Sequence, residues 1–449
     1  ACTSFLAGRN ATIDGSTFIT YAADSHTLYG ALKFIPAARH PKNSTMEIRE
    51  WDTNKLLGHI PQVEYTYKVV GNMNEHQLSI TESTWGGRPE LVDTTGIIDY
   101  GSLMYIALQR AKTAREAITV MTDLVSEYGY YSSGESFSIA DPEEVWIMEM
   151  IGKGPQNQGA VWVAVRIPDD CIAAHANQSR IHKFPLDDKE NCLYSPDVIS
   201  FAREQGYFNG LNKDFSFADA YAPADFGALR GCEARVWSFY NRFNSSMGKY
   251  LSYLNGKSKE YLPLYIKPDK KLSVQDMKDA MRDHFEGTPF DMTQDVGAGP
   301  FKCPYRFRPM TFKVDSVEYT NERAVATQQT AFTLVAQMRS WLPNAIGGVL
   351  WFGVDDTNTC VYVPLYACLN EVPECYSELN GSMYDLSWTS AFWIHNWVAN
   401  MSYSRYDQMI EDIRPVQKDI ETTFYVQQPV IEKVANDLYR NDPVAAIRF

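Results

Sequence analysis

At 449 residues, with 45% hydrophobic and 21% charged content, the chain is long enough to bury a substantial core and has a globular rather than a disordered composition. A formal net charge of −14 with no basic tract argues against a nucleic-acid partner. No apolar run reaches the roughly 18 residues that a membrane-spanning helix needs.

The chain opens on a strand signal at 2–7, Cys2-Thr3-Ser4-Phe5-Leu6-Ala7, followed by a second at 17–22. Asp14-Gly15 between them is a strong hairpin signal, and such a hairpin returns Asp24 to the Cys2 end. Further strands are expected at 65–72, 77–84, 145–151 and 161–167. Helices are expected at 102–112, 114–127, 196–205, 274–285, 328–341 and 405–440. The second helix opens with the capping-box residues Thr113-Ala114-Arg115-Glu116 and is closed by Gly129. The last is expected to break at Pro415 and Pro429. Gly347-Gly348, ahead of Val349-Leu350-Trp351-Phe352, reads as close backbone packing against a buried strand. No internal repeat and no low-complexity linker divides the chain, which favours one large catalytic domain over 2–380 and a helical extension over 381–449 packed on it.

Cysteines stand at 2, 171, 192, 232, 303, 360, 368 and 375. None forms Cys-x-x-Cys, and no His-Glu-x-x-His, dinucleotide fingerprint or phosphate loop occurs, so neither a metalloprotease nor a nucleotide site is indicated. Asp169-Asp170 and Asp355-Asp356 read as turn residues at strand ends. Cys360, Cys368 and Cys375 lie close enough in sequence to make a bridge among them the first expectation. Cys2 differs from the rest by position. Removing the one residue before it would give it a free α-amino group, which titrates at about pH 7.7–8.0 and can take the proton of its own thiol.

The order Cys2 to Asp24, CTSFLAGRNATIDGSTFITYAAD, resembles peptidase family C69, the dipeptidases of the N-terminal-nucleophile superfamily. The resemblance rests on the Cys-Thr opening, the Gly-x-x-Ala-Thr-x-Asp-Gly-Ser-Thr core and the closing aspartate. It continues through Gly71-Asn72-Met73-Asn74-Glu75-His76, Glu82-Ser83-Thr84, Ser136-Phe137-Ser138-Ile139-Ala140-Asp141-Pro142, Val163 to Asp170 and Gly347 to Phe352. It implies an α+β fold, a four-layer αββα sandwich, with Cys2 as nucleophile and Asp24 as the carboxylate that holds its amine and thiol in place. Asn177 is then similar in place to an asparagine used near the oxyanion, and Arg235 to an arginine near the nucleophile. The second oxyanion donor is expected from the strand carrying Thr84, by side chain or backbone. One departure stands out. The family usually carries arginine three residues before the aspartate, and this chain has Tyr21, which donates a hydrogen bond but brings no fixed charge. Glu82 is an inference from chemistry: a dipeptidase must grip a free α-ammonium, and a carboxylate beside the nucleophile can do so.

The implied activity is hydrolysis of dipeptides or small unblocked peptides through a thioester on Cys2, needing no cofactor and no metal. Two alternatives remain: an amidase for N-acyl amino acids, and a silent binding protein that kept the fold. Ala1 reads as the end of a propeptide, a signal remnant or an appended residue. A bacterial periplasmic or secreted location and possible homo-oligomer formation are further expectations.

Overall fold

The opening hairpin forms where its turn signal stands. A computed structural model describes residues 1–306 and 311–449, and in it strands Cys2–Ala7 and Thr17–Asp24 pair antiparallel, with Cys2 opposite Ala23. Gly15 takes the left-handed conformation (φ 87°) that a side chain resists, and Asp14 Oδ1 accepts from Ser16 N at 3.0 Å.

These strands lie inside a seven-stranded sheet. Its order is Tyr265–Ile266, Ile172–His175, Cys2–Ala7, Thr17–Asp24, Thr330–Met338, Val349–Val354 and Val363–Tyr366, with every neighbouring pair antiparallel. A second, eight-stranded sheet is centred on Ala160–Ile167, Val145–Gly152, Glu135–Ala140 and Ser79–Thr84. Strand periodicity divides the side chains between layers. Cys2, Leu6 and Ile19 join Trp85, Ile147 and Val163 in the apolar layer between the sheets. Phe5, Ala7 and Phe18 face the other way, against Trp237 and Phe239 of helix Ala234–Phe243 and Met277 of helix Val274–Met281. Ile80, Phe137 and Met148 cover helices Tyr100–Arg110 and Ala114–Tyr128 on the far side. The result is helix, sheet, sheet, helix: an α+β sandwich of four layers, as expected.

Five local expectations need correcting. Residues 328–341 are not a helix but contain the central strand Thr330–Met338, buried at every position. A strand covered on both faces loses the polar alternation that marks an exposed one, so its apolar run mimics a helix face. The strand expected at 65–72 is two short pieces, Tyr65–Thr66 and Val69–Val70, in different sheets. The last helix runs unbroken from Tyr406 to Asn441 through both prolines, which stand on its solvent side where the lost N–H bonds are cheapest. The capping box is only half made: Thr113 Oγ1 accepts from Glu116 N at 3.2 Å, but the Glu116 carboxylate turns to Lys112 N instead. Gly129 does end that helix with a positive φ. All eight cysteines are free thiols, so the bridge expected among Cys360, Cys368 and Cys375 is absent.

His175 pins the two sheets together. It sits opposite Ser4 in the first sheet, fully buried, and its Nδ1 and Nε2 lie 2.6 and 2.7 Å from Ser83 Oγ and Ser138 Oγ of the second. Burial, and secondarily Arg180, pushes its pKa down to about 3. The folded state therefore keeps the ring neutral while the unfolded chain protonates near pH 6.5. That stability is fully present above pH 6.5 and drains away as pH falls towards 3, by up to about 1.4 kcal/mol per pH unit. Denaturant titrations from pH 7 to 4 should show this slope in the native protein and a shallower one in His175→Asn.

Candidate active site

Backbone pairing sets the frame. Asp24 N donates to Ala1 O at 2.9 Å and Ala1 N donates to Asp24 O at 2.8 Å, so the hairpin brings Asp24 beside the Cys2 end. The first strand's pleat then sends the Cys2 sulfur into the space between the sheets. There Sγ lies 3.2 Å from Glu82 Oε1 and 3.9 Å from the Tyr21 hydroxyl. Tyr21, two residues before Ala23 on the partner strand, also donates to Glu82 Oε1. Glu82 is buried, so it is no exposed strand residue, and it comes from strand Ser79–Thr84 of the facing sheet.

The Cys2 main chain is gripped from the opposite side. Its N–H donates to Asn177 Oδ1 at 3.0 Å. Asn177 Oδ1 also accepts from Arg235 Nη2 at 2.9 Å, while its Nδ2 donates to Thr84 O at 2.6 Å. Two donors on one atom and a carbonyl on the other fix the orientation of the amide. The face that Asn177 turns to Cys2 is thus its carbonyl oxygen, and its N–H₂ is engaged elsewhere. Asn177 holds φ at 62°, a left-handed value that asparagine tolerates better than most residues, and its N–H reaches Ser83 Oγ.

Arg235 lies in helix Ala234–Phe243 and is buried. Nη1 donates to Cys2 O and to Thr3 Oγ1, both at 2.7 Å. Nη2 donates to Ala176 O and Asn177, and Nε to Gly231 O. All five N–H groups are spent. Burial, with the charge of Arg323 next, lowers its pKa to about 10, leaving it cationic at neutral pH.

Asp24 does not touch Arg235. Its Oδ1 accepts from Thr330 Oγ1 at 2.6 Å and its Oδ2 pairs with Arg323. Neither partner was marked by the sequence. Thr330 lies in the strand mistaken for a helix, and Arg323 sits in a loop with no motif around it. The arginine absent at Tyr21 has no stand-in on sulfur among the described residues: Arg235 reaches the carbonyl oxygen of Cys2 instead.

Thr84 donates to Glu135 Oε2 at 2.9 Å and so links a second carboxyl to the site. Burial and the adjacent Glu82 push the Glu135 carboxyl well above the usual carboxylate range. Sequence reasoning missed it. Beside Ala1, a cavity of about 290 Å³ is lined by Asn177, Arg235, Arg306 and Arg323. A second cavity, of about 270 Å³, has aromatic walls from Tyr29, Trp51, Tyr105 and Phe332, and Phe332 packs edge-on against Tyr21.

A cysteine whose nitrogen and carbonyl are both fixed, with its sulfur in a pocket of hydrogen-bonding groups, has the parts of a positioned nucleophile. The family model for peptidase family C69 matches residues 32–419. The chain belongs to peptidase family C69. Cys2 and Asp24 lie ahead of the matched span, so their place in the site rests on the geometry above. A probable dipeptidase of Latilactobacillus sakei is 27% identical over 425 residues, 90% of this chain and 82% of that protein. One from Salmonella dublin is 27% identical over 82% of this chain and 81% of its own length. A probable dipeptidase B of Lactococcus lactis is 27% identical over 92% and 83%.

As a C69 member with Ala1 attached, the protein holds the Cys2 thiol protonated: burial, then the Glu82 charge, pushes its pKa far up. Removing that charge should ease ionisation. Glu82→Gln is expected to raise the rate of Cys2 alkylation by iodoacetamide at pH 8 about tenfold or more, since one pKa unit is tenfold in thiolate and a charge at this range is worth at least that. Mass spectrometry of the Cys2 peptide reads the result.

Proposed function

We propose that this chain is a cysteine dipeptidase whose nucleophile is Cys2 and which acts once the Ala1–Cys2 bond has been cut. The observation that carries the reading is the double grip on Cys2, nitrogen to Asn177 and carbonyl to Arg235, with the sulfur left facing the interior. Cleavage turns the amide nitrogen already held by Asn177 into an amine in the same place. That amine takes the thiol proton as sulfur attacks the peptide carbonyl. It returns the proton to the departing amine, leaving a thioester on Cys2 that water hydrolyses. Proton transfer of this kind contributes roughly 10²–10⁴ in rate.

Charge around the sulfur suits a short zwitterion. Glu82, steadied by Tyr21, offers a carboxylate to the substrate's α-ammonium. The cavity beside Ala1 is lined by Arg306 and Arg323, already paired with Asp295 and Asp24, so a substrate's terminal carboxylate would share these cations rather than meet free ones. A carboxylate on one side of the sulfur and shared arginines on the other suit a substrate whose two charged ends lie close to the scissile bond, as in a dipeptide. Asn177 serves as the holder of the amine. Its N–H₂ reaches an oxyanion only by releasing Thr84 O, where it could supply a few kcal/mol of stabilisation.

Release of free amino acids should be measured from unblocked dipeptides and their N-acetylated counterparts, with protein beginning at Cys2 and its Cys2→Ala variant. Turnover of the unblocked set, lost in the variant, is expected. Turnover of only the acetylated set would make the protein an amidase. Inactivity towards both, with Cys2 confirmed as the N-terminus, would make it a silent binding protein. In the active protein, Glu82→Gln is expected to raise KM for unblocked dipeptides by about tenfold, the cost of one lost charge-assisted contact of roughly 1.5 kcal/mol.

A further inference from the structure

The helix Tyr406–Asn441 is 36 residues long, about 54 Å, and only one side of it meets the body of the protein. On that side Gln417, Glu421, Gln428 and Ala435 are buried, and the carboxylates of Glu421 and Glu432 pair with Arg282 and Arg339. The helix is therefore already anchored. A different side carries Val416, Ile420, Thr423, Gln427, Val430 and Val434, all exposed, with Val416 and Val430 more than half so. Their spacing of four, three, four, three and four residues is the seam of a coiled coil, a pattern a solvated helix has no reason to hold.

The seam is also symmetric. Val416 and Val434, Ile420 and Val430, and Thr423 and Gln427 are each equidistant from position 425. If a second identical helix is laid against it in the reverse direction, these become the facing layers. Flanking charges are symmetric about position 426, one residue on. Asp412 and Asp419 stand on the N-terminal half of one flank, Lys433 and Arg440 on the C-terminal half, all exposed. Reversal brings Asp412 opposite Arg440 and Asp419 opposite Lys433, with Val426 meeting its own copy at the centre. Parallel pairing would instead gather the acidic halves at one end and the basic halves at the other. Among the described residues Arg440 has only a loose 3.9 Å contact with Asp437.

We propose that this seam binds a second copy of the chain, the two long helices crossing antiparallel about a two-fold axis near Val426. An isologous contact of this kind needs a self-complementary patch, and here both the apolar layers and the charges satisfy that need. The Thr423–Gln427 layer fixes the register, as a polar layer does within an apolar seam.

Charge exchange tests the pairing without touching the site around Cys2. By light scattering over a dilution series, the native protein is expected to be a dimer or a larger even assembly. Asp412→Lys with Asp419→Lys is expected to halve its mass, and so is Lys433→Glu with Arg440→Glu. Mixing the two variants should restore it, because one copy's all-basic flank then faces the other copy's all-acidic flank across the axis. Ile420→Glu with Val430→Glu should halve the mass too, without changing circular dichroism. A monomeric native protein, or a mass unaltered by both charge exchanges, overturns the proposal.

Discussion

The site depends on one buried guanidinium. Arg235 touches no carboxylate, yet it is charged and removed from water, an arrangement that costs several kcal/mol unless every N–H is satisfied. It is satisfied, by oxygens from three segments: the first strand at Cys2 and Thr3, the turn at Ala176 and Asn177, and the start of its own helix at Gly231. Because those oxygens belong mostly to the main chain, the guanidinium fixes backbone positions rather than side-chain rotamers. Whatever Cys2 does is done from a main chain that cannot shift without stranding either a charge or a carbonyl.

A second constraint is electrical. The sulfur sits in a dry layer beside Glu82, which opposes formation of a thiolate, while the cations nearby serve the main chain and Asp24. Such a thiol is inert until a base is placed next to it. In the proposed mechanism the amine released at Cys2 is that base, so the same electrostatics that silence the uncut chain leave the cut one ready.

Much of this was legible in the sequence, where the signal was local. Asp14-Gly15 set the hairpin, the hairpin set Asp24 beside Cys2, and helix Ala114–Tyr128 appeared between its cap and its glycine. What was illegible was nonlocal or doubly buried. Strand Thr330–Met338 has apolar neighbours on both faces, so its period vanished and Thr330 vanished with it. Glu82 was reached by chemistry alone, while its burial was hidden because the sheet that covers it comes from another part of the chain. Glu135 and Arg323 stand in no motif at all, and only the folded arrangement of Thr84 and Asp24 shows what they touch. Tyr21 read as a lost cation, yet its hydroxyl found the carboxylate beside the Cys2 sulfur.

Asn177 compresses these constraints into one residue. Its backbone is left-handed, its carbonyl oxygen answers two donors, and its N–H₂ answers an acceptor within the same short side chain. Aspartate has the shape and the tolerance for the turn but no proton for Thr84 O. Glutamine has the chemistry but one methylene too many, and glycine has only the backbone. Among the residues that tolerate this turn, asparagine is the one whose short side chain meets all three contacts, so a single amide carries backbone, acceptor and donor demands at once.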